Sequence, residues 1–120
     1  MSIPNEALQK LLQEIEQNAI AAQQQIGVVK AQIATKNRES RMAQITAGEI
    51  SSLPRETKVY EGVGKMFVMC PSEDVKNRLS KESADLRSDI TSLEKKLHYL
   101  ETTYKNSQQH LEQVFKSRGA

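Results

Sequence analysis

The residues in this 120-residue chain most suggestive of chemistry are Gly62-Val63-Gly64-Lys65, because glycines followed by lysine are what a phosphate-cradling loop uses. The pattern fails in detail. No glycine stands five residues before Gly64, Met66 takes the place of the hydroxyl that would hold magnesium, and the apolar run that follows is too short to supply a strand, loop and helix. The four residues read as a turn. His98 and His110 lie on a helical pattern away from its apolar stripe, with no cysteine or further histidine to complete a ligand set, so they read as solvated side chains. Cys70 is the single cysteine and reads as a small apolar residue at a strand end; its solitude suits a reducing setting, cytosolic or nuclear. The carboxylates sit beside Lys or Arg, a pattern of weak surface ion pairs rather than of acid-base catalysis. With no nucleophile, base or metal constellation, the expectation is a protein that is not an enzyme and needs no cofactor.

The segment that carries those glycines, Thr57 to Cys70, is unlike the rest of the chain. Val59, Tyr60, Met66, Phe67, Val68 and Met69 fit a pleated surface, and Gly62 and Gly64 are expected to supply the positive φ angles of a tight reversal. A lone hairpin has two unpaired edges and is marginal in water. Since no other convincing strand exists, the missing strands must come from other subunits, which makes the chain an obligate member of an assembly.

Residues 5 to 45 have no proline, one glycine and many good helix formers. Ser2 is expected to cap this helix, with Pro4 in its first turn. Leu8, Leu12, Ile15, Ala19, Ala22, Ile26, Val29 and Ile33 follow one another at alternating spacings of four and three, a heptad seam. At Lys36 and Ser40 the seam turns polar, so packing should loosen before the helix ends near Ile45, with Gly48 as its stop. Glu49 to Leu53 reads as a short helical turn closed by Pro54. After the hairpin, Ser72 is expected to cap a second helix whose seam runs Leu79, Ser83, Leu86, Ile90, Leu93, Leu97, Leu100, Tyr104, Ser107, Leu111 and Val114. Tyr104 is read as a packing residue and Tyr99 as off the seam. Each helix would be about 60 Å long. The simplest packing is antiparallel, with Ile33 near Leu79 and Leu8 near Leu111 and Val114.

The expected fold is therefore mainly α: a long antiparallel two-helix coiled coil joined by a single central β-hairpin. It forms a single domain over 1–120, made of a helix over 1–46, a turn and hairpin over 47–71, and a helix over 72–120. A low aromatic share of 4% and 38% hydrophobic residues suit such a stalk better than a compact globule. The net charge of +2 is evenly spread, with no basic stripe, which argues against nucleic acid as a partner. No apolar run approaches a membrane span, and Met1-Ser2-Ile3-Pro4 does not look like a secretory signal.

Leu53-Pro54 followed by Tyr60-Glu61-Gly62-Val63-Gly64-Lys65-Met66-Phe67, set between two heptad helices, resembles the β-type subunits of eukaryotic prefoldin over nearly the whole chain. The resemblance implies a hetero-hexamer with two α-type subunits, in which hairpins from all subunits complete an inter-subunit β-barrel and six coiled-coil arms hang from it. It implies capture of non-native actin and tubulin, without nucleotide, and their transfer to the cytosolic chaperonin. Carried onto this chain, subunit assembly falls to Val59, Tyr60, Val63, Met66, Phe67, Val68 and Met69. Client binding falls to Leu8, Leu11, Leu12, Leu111, Val114 and Phe115. Leu11 beside Leu12, and Phe115 beside Val114, give the stalk end more apolar surface than two helices can cover between them. A coiled-coil scaffold or tether is the alternative from another class, but it would not need a glycine-containing hairpin at mid-chain.

Overall fold

The computed structural model describes residues 5–119; the expected cap at Ser2 and the place of Pro4 lie outside them. The element order is helix α1 (Asn5–Ser52), strand β1 (Val59–Val63), strand β2 (Met66–Cys70) and helix α2 (Ser72–Gly119). The chain divides into two compact units, one made of residues 1–32 with 93–120 and the other of residues 33–92.

In the first unit the four-and-three spacing is the burial pattern. Leu8, Ile15, Ala19, Ala22 and Val29 on α1 and Leu100 on α2 are buried, Val29 most completely at 2% exposure. Alanines at mid-seam let the facing helix come close. Tyr104 is half-buried and its hydroxyl accepts from the Gln108 side-chain amide at 2.8 Å, whereas Tyr99 is exposed.

In the second unit the seam continues further than expected. Lys36 and Ser40 are half-buried, Ala43 is buried, Ala47 half-buried and Ile50 buried, still at spacings of three and four. The helix therefore does not stop near Ile45. It passes through Gly48 and ends at Ser52, where the Ser52 hydroxyl donates to the Glu49 carbonyl and the Leu53 amide to the Ile50 carbonyl. The reason is energetic: a mid-helix glycine costs about 1 kcal/mol, while burying Ile50 is worth about 1.5 to 3 kcal/mol. Glu49 to Ser52 form the last turn of α1 rather than a separate one.

The longer helix shifts the antiparallel register. Leu79 clusters with Ala43, Ile50 and Val75, and Lys36 pairs with Asp89 at 3.6 Å. Leu79 thus faces Ala43 instead of Ile33. The start of α2 also differs from expectation. The Val75 amide donates to the Pro71 carbonyl, so Pro71 is the cap and Ser72 the first helical residue, with Glu73 and Asp74 in the positive first turn.

Candidate functional site: the hairpin and its seat

The hairpin is antiparallel, with Val59 opposite Cys70, Tyr60 opposite Met69, Glu61 opposite Val68, Gly62 opposite Phe67 and Val63 opposite Met66. Gly64 and Lys65 form the two-residue loop. Gly64 has a φ of 60° and Lys65 does not share it, the requirement of a type II′ turn. Gly62 has no positive φ and lies inside β1, beneath the Phe67 ring, which would stand 3.8 Å from a β-carbon placed there. Only Gly64 fills the role expected of both glycines.

Strand alternation sorts the side chains into two faces. On one face, Val59 and Cys70 pack against Ala43, Ala47, Ile50, Val75 and Leu79, which seats the base of the hairpin on its own helices. Further along the same face Glu61 is ion-paired with Arg78 of α2, and the Cys70 thiol donates to the Glu61 carboxylate at 3.6 Å. The bond from Arg78 holds the Glu61 carboxyl below its usual pKa and raises that of Arg78; desolvation, then the neighbouring carboxylate, push the Cys70 thiol up. The thiol therefore stays protonated and acts as a donor. Beyond this clamp Val63, Met66 and Val68 are exposed.

The opposite face is largely open to solvent. Tyr60, Phe67 and Met69 are 56%, 76% and 59% exposed, and among the described residues the sheet has two strands whose outer edges are unpaired. Of the seven residues expected to serve assembly, six are large apolar side chains in the open. Val59 is the exception: it is half-buried against the seat, so its packing is within the chain rather than on the free surface.

The residues expected to hold clients are unevenly placed. Phe115 is 58% exposed, and Leu11, Leu12, Leu111 and Val114 are half-buried. Leu8 is 8% exposed, closed off within the seam, and offers no free surface. Among the described residues no group of three or more His, Cys, Asp or Glu is placed to hold a metal, and no helix is long and apolar enough to cross a membrane. Sequence reasoning also passed over Ala43, Ala47 and Ile50, which build the hairpin's seat. Their signal was the same spacing rule, masked by polar Lys36 and Ser40.

Comparison with known proteins gives this geometry a context. The family model described as "Prefoldin subunit" matches residues 6–118. A probable prefoldin subunit 1 of Schizosaccharomyces pombe is 36% identical over 110 residues, covering 92% of this chain and 98% of that protein. Prefoldin subunit 1 of Homo sapiens is 32% identical, covering 94% of this chain and 93% of its own length. Among solved structures, the prefoldin β subunit from Thermococcus strain KS-1 superimposes with a TM-score of 0.79 over 94% of this chain and 95% of that one, at 23% identity, and so shares the fold. With a two-helix, one-hairpin fold and a family match across nearly its whole length, the chain belongs to the prefoldin subunits, a family of co-chaperone components that assemble with one another and are not enzymes.

Proposed function

We propose that the chain is one arm of a hetero-hexameric, nucleotide-independent co-chaperone of the cytoplasm, occupying the place of prefoldin subunit 1. Its hairpin adds two strands to a β-barrel shared with neighbouring subunits, two of them α-type. Its terminus-bearing end, through Phe115 with Leu11, Leu12, Leu111 and Val114, holds non-native actin and tubulin for transfer to the cytosolic chaperonin.

The observation that carries this reading is the hairpin surface: six large apolar side chains exposed on ten strand residues, with both edges open. Burying one Phe or Met side chain is worth about 1.5 to 3 kcal/mol, so a surface of this kind drives association strongly. Strand addition at the open edges would satisfy the unpaired backbone groups as well. At the other functional surface, half-covered leucines and one exposed Phe115 suit weak, plural and reversible contacts, which several arms on one base would multiply through effective concentration.

The test is Phe67→Asp in the full chain, co-expressed with the other prefoldin subunits. Phe67 is exposed in the single chain, so helicity is expected to persist while co-purification is lost. Normal hexamers by native mass measurement would overturn the reading.

A further inference from the structure

Strand β2 passes into α2 through a single residue, Pro71, whereas β1 is joined to α1 by the longer link 53–58. The hairpin is thus a lever pivoted at Pro71. At its base Val59 and Cys70 pack on the seat. Beyond the base, Glu61 is the only strand residue that is not exposed. Among the described residues it is also the only hairpin side chain ion-paired or hydrogen-bonded to a helix.

The two oxygens of that carboxylate have different partners. Oε1 is paired with Nη1 of Arg78 on α2, and Oε2 accepts from the Cys70 thiol at 3.6 Å within the hairpin. Arg78 lies six residues after Ser72, about 9 Å along the helix. Pro71, Glu61 and Arg78 therefore form a triangle, and a lever tied at a second point off its pivot has a fixed angle. The apolar contacts of Val59 and Cys70 are not directional, whereas a charge-assisted hydrogen bond is. With Glu61 held against α2, strand alternation leaves Tyr60, Phe67 and Met69 on the side away from the helices.

We propose that Glu61 and Arg78 are positioning residues for assembly: their pair braces the hairpin on α2 and presents its open face and edges to neighbouring subunits at the angle strand addition needs. The proposal rests on the assembly role of the hairpin. Both side chains are partly exposed, so the pair adds little to the stability of the free chain. Its effect falls on binding. Apparent affinity scales with the fraction of chains whose hairpin already stands at the competent angle, and an unbraced hairpin lowers that fraction.

The experiment mixes the full chain with its partner subunits and follows the affinity and the association rate of assembly for Glu61→Gln, Arg78→Met and the two combined. Each single variant is expected to weaken assembly about threefold to fivefold at low salt, mainly through slower association. Helicity should be unchanged and the thermal midpoint of the free chain only slightly lowered. The combined variant should be no worse than the more damaging single one, because both remove the same bond. The deficit should shrink in high salt, and Arg78→Lys, which keeps a cation on the helix, should recover most of it. Wild-type assembly by both single variants, losses that add in the combined variant, a deficit indifferent to salt, or Arg78→Lys no better than Arg78→Met would each overturn the proposal. Its failure is distinguishable from failure of the hairpin reading: if Phe67→Asp abolishes assembly while the Glu61 and Arg78 variants assemble as wild type, only the brace falls.

Discussion

In the unit formed by residues 1–32 and 93–120, the large side chains of the seam turn inward, and Leu8, Ile15, Val29 and Leu100 are closed off from water. In the unit of residues 33–92 the buried positions are Ala43, Ile50, Val75 and Leu79, while nine of the thirteen exposed large apolar residues of the described chain lie there, six of them on the hairpin. The first unit satisfies most of its apolar surface within itself. The second is built to be completed by something else. Stability and assembly should therefore respond to substitutions in different halves, and the contrast is open to attack from either side.

The largest effect is expected from Val29→Asp. At 2% exposure the new carboxylate has no water and no partner, so the stalk should lose about 3 kcal/mol or more, read as a lower thermal midpoint by circular dichroism. Met69→Asp, on the open hairpin face, should barely move the midpoint of the purified chain and should strongly weaken assembly. A hairpin substitution that unfolded the chain as severely as Val29→Asp would break the comparison.

Next in size is the terminus-bearing end. Removing residues 1–12 and 110–120 should leave hexamer formation intact and reduce suppression of actin aggregation severalfold, with Phe115→Ser alone giving a smaller loss. Undiminished holding by the truncated complex would show that clients bind elsewhere.

The helices and the hairpin were legible in the sequence because each obeys a local rule: four-and-three spacing for one, β-branched and aromatic residues around a glycine for the other. What was not legible depended on competition between distant terms. Gly48 carries a stop signal, and only the packing of Ala47 and Ile50 on the partner helix overrides it. Once that boundary moves, the register moves with it, which is why Leu79 meets Ala43 and not Ile33. Gly62 and Gly64 look equivalent by composition, yet pairing with Phe67 puts one in a strand and leaves the other to turn.

Those glycines give the third test. Gly27 and Gly48, one in each unit, lie within α1 with nothing inside 4 Å of a β-carbon built there. Gly27→Ala and Gly48→Ala should each stabilise by about 0.5 to 1 kcal/mol, since both replace a poor helix former where space is free. Gly64→Ala should destabilise by about 1 kcal/mol or more, because a φ of 60° strains any side chain. Equal responses at Gly48 and Gly64 would mean that α1 does not run on into the second unit's seam.

The smallest expected effect is on pH, and it isolates the one polar clamp between hairpin and helix. Arg78 holds the Glu61 carboxyl below its ordinary value of 4.5, with the Cys70 thiol as a second donor. A carboxyl whose folded pKa is depressed stabilises the fold fully above its unfolded pKa, and loses that contribution as pH falls through the folded value. Glu61→Gln should therefore lower the thermal midpoint slightly near neutral pH, and the gap from wild type should close as pH drops below about 4.5. Because the pair is partly exposed, added salt should narrow the same gap. Among the described residues the stalk unit has no such pair in its seam, so Val29→Ala should show a deficit that neither acid nor salt removes. A pH-independent deficit for Glu61→Gln would mean that the hairpin is held to α2 by the packing of Val59 and Cys70 alone.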